Sequence, residues 1–415
     1  MIVRHFLTWA QTASAAQRAE GAGDMARTYL YGDLDTAERR QVEIALMSLA
    51  EDPSPLVRRA LADNFASAID APRALVSALA CDQSAIAGPV LSRSPLLSEA
   101  ELVDCVAIGD ATAQTAIALR ARVPHGVCAA LAEIGARDAC VALAVNPGAD
   151  ILDFSLRRMV ARFGDDGDMR EALLSRPALP ASVRSALVGA VAESLSAFVI
   201  NCGWLSHERA DRLLREERDK ANVLIVTEAA EYDGRQGVRE LVAHLRACGH
   251  LTSSLVLRAL LSGNRDLFEA SLVELSGLND DKVAALIDDF RGAGFAAAYL
   301  RAGLPEKFLP AFRAALSAQR EYGHVGSPDP RLSLVMVERV ITACESMNEG
   351  QLDMLLALLR RFEREAALEE ARAETARITQ EATAPDVAPP TTFSGVTASG
   401  PLIDLVAFEA ELMAA

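Results

Sequence analysis

A chain of 415 residues that is 51% hydrophobic but only 5% aromatic draws its apolar character from alanine, leucine and valine. Alanine and leucine lose little side-chain freedom in a helix, so an all-α chain is expected and β-rich classes are disfavoured. The length exceeds one compact core of ~100–200 residues, and the net charge of −16 argues against a surface that neutralises nucleic-acid phosphates, which needs clustered cations.

In chain order, Ile2 to Tyr31 reads as two helices broken near Gly21 and Gly23. Asp35 precedes the next helix, with Glu38 in a capping-box position. Val42, Ala45, Leu46 and Leu49 follow at helical spacing. The stretch Asp52-Pro53-Ser54-Pro55-Leu56-Val57-Arg58-Arg59-Ala60-Leu61-Ala62 organises the rest. Its prolines suit the start of a helix, where a missing N–H costs nothing. Val57, Leu61 and Phe65 share one face, while Arg59 and Asp63 pair on the other. Echoes follow at Asp82, at Ser94-Pro95-Leu96-Leu97 with a Ser98–Glu101 capping box, at Val123-Pro124, at Asn146-Pro147-Gly148 and at Arg176-Pro177. Their spacing is about 30 residues, two short helices per unit, and such units bury their apolar faces only against neighbours.

From about Leu195 the pattern changes. Ser206 to Glu231 reads as a long, charge-rich helix. Shorter helices then span Thr252 to Ser262, Asn264 to Ser276, Asn279 to Arg291 and Glu306 to Arg320, with Gly263-Asn264 and Gly277-Leu278-Asn279 stopping one and capping the next. The loop Gly323 to Pro330 is the clearest internal break. Helices from Arg331 to Cys344 and from about Glu349 follow. The last loses its apolar stripe after Phe362, and Glu363 to Glu381 reads as solvated, with Glu374–Arg377 and Arg377–Glu381 pairs along it. Thr383 to Pro401 has the composition of a disordered linker. Beyond it, Leu402, Leu405, Phe408, Leu412 and Met413 share one side of a short amphipathic helix, which resembles a docking peptide.

Lys220, Lys282 and Lys307 are the only lysines among 41 basic residues, a bias that fits the base composition of a GC-rich genome. The seven cysteines (Cys81, Cys105, Cys128, Cys140, Cys202, Cys248, Cys344) form no Cys-x-x-Cys pair and read as small apolar residues of a reducing cytoplasm. Arg4 and His5 interrupt the N-terminus, and no run of ~18 apolar residues is read anywhere in the chain, so a soluble, cytoplasmic protein is expected.

With these stretches in view, the chain resembles the bacterial domain-of-unknown-function family numbered 2336. The matching segments are Asp52 to Ala62, Gly88 to Leu97, Ala116-Ile117-Ala118 with Arg120, and Leu251 to Leu260, a coverage from near the start to about Leu316. The resemblance implies an α-helical, HEAT-like fold. It carries no catalytic residues.

Motifs that carry chemistry are missing from the sequence. His244 and His250 do not share a helix face, and no His-Glu-x-x-His occurs. His207 and Asp211 form an i,i+4 surface pair without a third ligand. Asp165-Asp166-Gly167-Asp168 lacks the spacing of a calcium loop and reads as the solvated start of a helix. No Gly-x-Ser-x-Gly and no Gly-x-x-x-x-Gly-Lys is present. Cys105 and Cys128 lie on apolar faces and read as core. Gly292-Ala293-Gly294-Phe295 reads as a helix–helix turn.

The expectation is therefore an all-α, right-handed HEAT-like solenoid of stacked helix pairs. It would comprise N-terminal repeats (1–195), a second helical-repeat module (196–325), C-terminal helices (326–382), a linker (383–401) and a terminal peptide (402–415). The expected function is non-enzymatic: a scaffold or adaptor for another protein, of unknown identity, needing no cofactor and no metal. Arg58, Arg59, Arg157, Arg158 and Arg184 are candidates to receive an acidic or phosphorylated partner on one surface, with inter-repeat salt bridges as the other reading. Leu402, Leu405, Phe408 and Leu412 are candidates to dock in trans, or in cis as an autoinhibitory peptide. An enzyme with an unmarked groove and a nucleic-acid binder with an arginine stripe are the alternatives.

Overall fold

Side-chain caps set where several helices of this protein begin. In the computed structural model, which describes residues 8–177, 179–322, 332–346 and 352–383, Ser14 starts α1 (Ala15–Tyr31) through a capping box with Gln17. Asp35 does the same for α2 (Thr36–Ala50) with Glu38. Pro55 occupies the first turn of α3 (Pro55–Phe65). Then come α4 (Arg73–Ala80), α5 (Ser84–Arg93) and α6 (Glu99–Ile108). The capping box at the start of α6 joins Ser98 to Glu101, and hydrogen bonds from Ser98 hold the Glu101 carboxyl at about 2. Ser77 of α4 adds a 2.9 Å hydrogen bond to the same carboxylate.

The chain continues through α7 (Ala111–Ala118), α8 (His125–Ile134), α9 (Arg137–Val145), α10 (Asp153–Phe163) and α11 (Gly167–Leu174). Two long helices follow, α12 (Ala181–Asn201) and α13 (His207–Tyr232), then α14 (Gly234–Ala247), α15 (Ser253–Leu261), α16 (Arg265–Ser276), α17 (Asp280–Asp288) and α18 (Ala293–Arg301). A 3₁₀ turn at Glu306–Phe308 leads into α19 (Leu309–Tyr322); α20 (Leu334–Ser346) and α21 (Asp353–Thr383) complete the described chain. Among the described residues there is no β-strand; one isolated parallel bridge joins Val123 and Ala149.

Two compact units divide the chain, residues 1–366 and 367–415. In the first, most of the short helices pack mainly on the helix two places along, while α12 with α13 and α19 with α20 pack mainly as neighbours. One row runs α1, α3, α5, α7, α9, α11, and a second runs α6, α8, α10, α12, α14, α16, α18. The apolar interior is correspondingly three successive clusters: one from Ala22 to Leu187, one centred on α13 and α14, and one from Val256 to Ala366. Val57, Leu61 and Phe65 are fully buried in the first, as their spacing predicts. In the second unit, residues 367–379 of α21 are almost all exposed, and Arg377 pairs with Glu374 at 2.6 Å. The Glu381 side chain, the loop 323–330 and the linker and terminal peptide lie outside the described residues.

Several boundaries differ from the sequence reading. Gly21 and Gly23 do not break α1; the helix runs through them because Ala22, Gly23 and Ala26 are buried where α1 packs on α3. Two helices were hidden in the second half. In α14, Val238, Leu241, Val242 and Leu245 are buried, yet Gly234 and Gly237 give its start the look of a turn. In α18, Gly292 is the cap rather than the middle of a connection. Nor is the Asp165–Asp168 cluster simply solvated: Asp166 caps α11, and Arg137 holds it in a bidentate pair at 2.7 and 3.0 Å.

Candidate protein-interaction surface

Helices of eight to eleven residues leave a large share of their carbonyls without an intrahelical partner. Here arginine and asparagine side chains from the next helix pair take them up. Arg120, just after α7, donates to the carbonyls of Leu91 and Ser94 at the end of α5. Asn146, just after α9, donates to Ala118 and Arg120, both at 2.7 Å. Arg176, just after α11, donates to Ala144, Asn146 and Ala149 at 3.0, 3.2 and 3.3 Å. The C-terminal ends of α5, α7 and α9 are thus clasped in series by residues that follow α7, α9 and α11. Arg162 does the same between α10 and α8, reaching Ala132 and Gly135 at 2.8 and 2.7 Å. Arg313 repeats it on Phe290 and Gly292 at 3.0 and 3.1 Å. A planar fork with five donors bridges several carbonyls at once, and the cation meets the negative end of the helix dipole; an ammonium lacks the fork.

Just outside the clasped edge stand Leu119, Val145 and Leu174, which are 62, 58 and 63% exposed. They occupy equivalent places at the ends of α7, α9 and α11 and form a row of apolar rungs. Single exposed leucines are ordinary; the repetition in step with the clasps is what marks this edge.

The arginines singled out in the sequence each have a partner within the chain. Arg58 is bidentate to Asp82 at 2.6 and 3.1 Å and donates to the Asp52 carbonyl. Asp52 itself pairs with Arg18 at 2.7 Å, and that hydrogen bond lowers its pKa. Arg59 pairs with Asp63 at 3.0 Å and also donates to the Ala85 carbonyl. Arg158 pairs with Glu133 at 2.8 Å, Arg184 with Glu228, and Arg157 reaches the Ser182 hydroxyl at 3.4 Å. The contacts of Arg158 and Arg184 are therefore ion pairs between helices, and Arg58 ties α3 to Asp82 just before α5. Leu402, Leu405, Phe408 and Leu412 lie outside the described residues.

A buried polar node, absent from the sequence reading, lies where α12, α13, α15 and α21 approach one another. Arg258, with its side chain only 4% exposed, makes a bidentate pair with Glu365 at 2.6 and 2.9 Å and stacks over Phe362 at 4.6 Å. Lys220 approaches the same carboxylate at 3.5 Å. Ser185 donates to Asn222 at 2.7 Å. Asp219 is buried nearby, and burial pushes its carboxyl up to about 6 against the opposing fields of Arg258, Arg218 and Arg215. Its signal in the sequence was available: Asp219 and Asn222 occupy the same helical stripe as the buried Val223 and Val226.

Other groups are placed without converging. Burial raises the Cys105 and Cys128 thiols to about 11 and 12, which disfavours the nucleophilic thiolate. Cys248 and His244 are 3.8 Å apart. Among the described residues no three His, Cys, Asp or Glu side chains gather as metal ligands would. A cavity of about 60 Å³ lies between α14, α16 and α17, far below the ~300 Å³ of a small-molecule site. Among the described residues one helix, Ala181–Asn201, is long and apolar enough to cross a membrane, contrary to the expectation of no such run. Its first half is seated in the core: Val183 and Leu187 are buried and Arg184 pairs with Glu228.

A family described as uncharacterised proteins conserved in bacteria, DUF2336, matches residues 86–349, more than half of the chain. The chain belongs to this family. No curated protein and no solved structure matches it. The span shared with DUF2336 begins within α5, so the Asp52–Ala62 stretch lies outside it, and it extends past Leu316 to include α20. The clasped edge from Arg120 to Arg176, α12 and Arg258 all fall inside the DUF2336 span; Glu365 does not.

Proposed function

We propose that this DUF2336 protein is a non-enzymatic interaction scaffold, a HEAT-like right-handed α-solenoid that holds another protein along the edge marked by Leu119, Val145 and Leu174. The observation that carries the reading is the serial clasp. Arg120, Asn146 and Arg176 fix three successive helix ends in step, so the exposed rungs beside them repeat at a regular interval. A regular row of apolar contacts suits an extended or helical partner segment, which offers its own side chains at a regular interval. Lining the row with internally satisfied arginines leaves the rungs as the adhesive element there. The terminal peptide carrying Leu402, Leu405, Phe408 and Leu412 is a second docking element, connecting the scaffold to a further protein.

The test is quantitative affinity capture from the native bacterium with the wild type and with Leu119→Glu/Val145→Glu/Leu174→Glu. These side chains are exposed, so the variant keeps its fold by circular dichroism. The expected result is loss of a specific partner from the variant, retained by Ile69→Glu, a control at another exposed position. Identical captured sets would refute the assignment of this edge. Deleting residues 400–415 with no change in any partner would remove the docking peptide from the proposal.

A further inference from the structure

The second half of α12 is an exposed seam. Val191, Leu195, Phe198 and Cys202 are all exposed, at spacings of four, three and four residues. That alternation is the a/d pattern of a helix expecting another helix alongside it. Trp204 extends the seam: it is 69% exposed and packs edge-to-face on Phe198 at 5.7 Å. On α13, Leu213 is exposed beside charged residues.

We propose that this seam is covered by a second copy of the same chain, α12 against α12 in an antiparallel pair. Charge selects that occupant. Glu193 is the only charged residue between Ala186 and Ser206, in a chain where 24% of residues are charged and the net charge is −16. Identical acidic surfaces repel one another, so a self-association site has to lie where charge has been removed. A basic or acidic partner would leave a one-signed charge pattern beside the seam; Ser194, Ser196, Ala197 and Asn201 of α12 are uncharged, and the charges of the neighbouring α13 between Glu208 and Lys220 are of both signs. Glu193 also fixes the direction. Side by side in a parallel pair, the two Glu193 carboxylates would stand at the same level. Antiparallel pairing centred between Leu195 and Phe198 sets them about 10 Å apart along the axis, at 1.5 Å per residue, and aligns the helix dipoles favourably.

The exposed apolar surface is concentrated in four large side chains: Val191, Leu195, Phe198 and Trp204 are 44, 50, 56 and 69% exposed, on the order of several hundred Å² in all. A standard interface takes ~800 Å² from each partner, a little over half of it apolar. The small side chains Ala192, Ser194, Ser196 and Ala197 let the backbones approach, and the second copy's Phe198 falls beside Leu195.

Sedimentation equilibrium of the full chain over a wide concentration range tests this. The wild type is expected to be a reversible dimer, and Leu195→Glu/Phe198→Glu to raise its dissociation constant by ~100-fold or more. Leu224→Glu, at an exposed apolar position of α13 away from the seam, is expected to leave the dimer unchanged. In the antiparallel register residue 191 faces the partner's Cys202, so Val191→Cys forms a disulfide-linked dimer under mild oxidation and the wild type does not. A monomeric wild type, a dimer indifferent to the Leu195/Phe198 variant, or a Cys202–Cys202 link in the wild type each overturns the proposal. Flotation of a monomeric wild type with phosphatidylglycerol-containing vesicles would assign the seam to a lipid surface instead. None of these outcomes bears on the Leu119–Val145–Leu174 edge, whose test is separate.

Discussion

Glu365→Ala puts a number on the buried node. The substitution leaves the Arg258 guanidinium, with its side chain 4% exposed, without its bidentate acceptor in a site where its Nε already lacks a hydrogen-bond partner among the described residues. Removing one member of a buried ion pair costs ~3–5 kcal/mol, because the remaining charge stays desolvated. The nearby Asp219 carboxylate still faces Arg258 and the Phe362 ring still lies under it, so the lower end, ~3 kcal/mol, is expected. Arg258→Met/Glu365→Leu removes both charges and keeps the volume; it should cost less than Glu365→Ala alone. Urea denaturation of the wild type, both single variants and the double variant measures the coupling. If Glu365→Ala lies within ~0.5 kcal/mol of wild type, or the double variant equals the sum of the singles, the pair does not hold α15 to α21 as described.

Three further outcomes follow from the same contacts. Asp219 has a folded-state carboxyl pKa of about 6 against an ordinary 3.8. The stability this contributes is complete below the unfolded value and is lost as pH rises through 6, ~3 kcal/mol in all. Asp219→Asn should flatten the pH profile of urea midpoints between acid and neutral pH and be the more stable protein at neutral pH; an unchanged slope would refute it. Arg120→Met leaves the Leu91 and Ser94 carbonyls without their donor and should cost ~2 kcal/mol by thermal denaturation, with Arg120→Lys recovering part of it and a silent Arg120→Met contradicting the clasp. A Cβ at Gly148 would lie 2.0 Å from the Ala121 carbonyl oxygen, where the Val123–Gly148 and Asp150–Val123 backbone hydrogen bonds bring two loops together. Gly148→Ala should therefore lower the melting temperature by several degrees, and an unchanged value would show that the loops separate freely.

Much of the helix order was legible because caps and apolar spacing are local. The Asp35–Glu38 and Ser98–Glu101 boxes, and the Gly277 and Asn279 boundary, stand where the sequence puts them. What failed was the use of glycine as a breaker. Gly23 sits inside α1, buried where α1 packs on α3; a Cβ there would meet its neighbours only at 3.5 and 3.6 Å, so burial of the surrounding face carries the helix through, a tertiary reason with no local signature. The arginine clasps were not legible for the same reason. Arg120, Arg162 and Arg176 stand next to unremarkable residues, and only the packing of alternate helices brings a carbonyl to each. The polar node joins Arg258 to a carboxylate more than one hundred residues away, beyond the reach of any spacing rule. The α12 seam lay in plain sight as a nearly charge-free stretch, but exposure, which gives it meaning, is a property of the fold.

Hydroxyl-radical footprinting reads most directly whether this protein works through its surfaces, with Leu119 and Leu174 reporting on the clasped edge and Phe198 and Trp204 on the seam. All four are solvent-exposed in the isolated chain. Oxidation rates compared between dilute purified protein, concentrated protein and protein in a lysate of the native bacterium should fall at Phe198 and Trp204 with concentration, and at Leu119 and Leu174 only in the lysate. Rates at all four that stay constant across the three conditions would contradict an interaction scaffold.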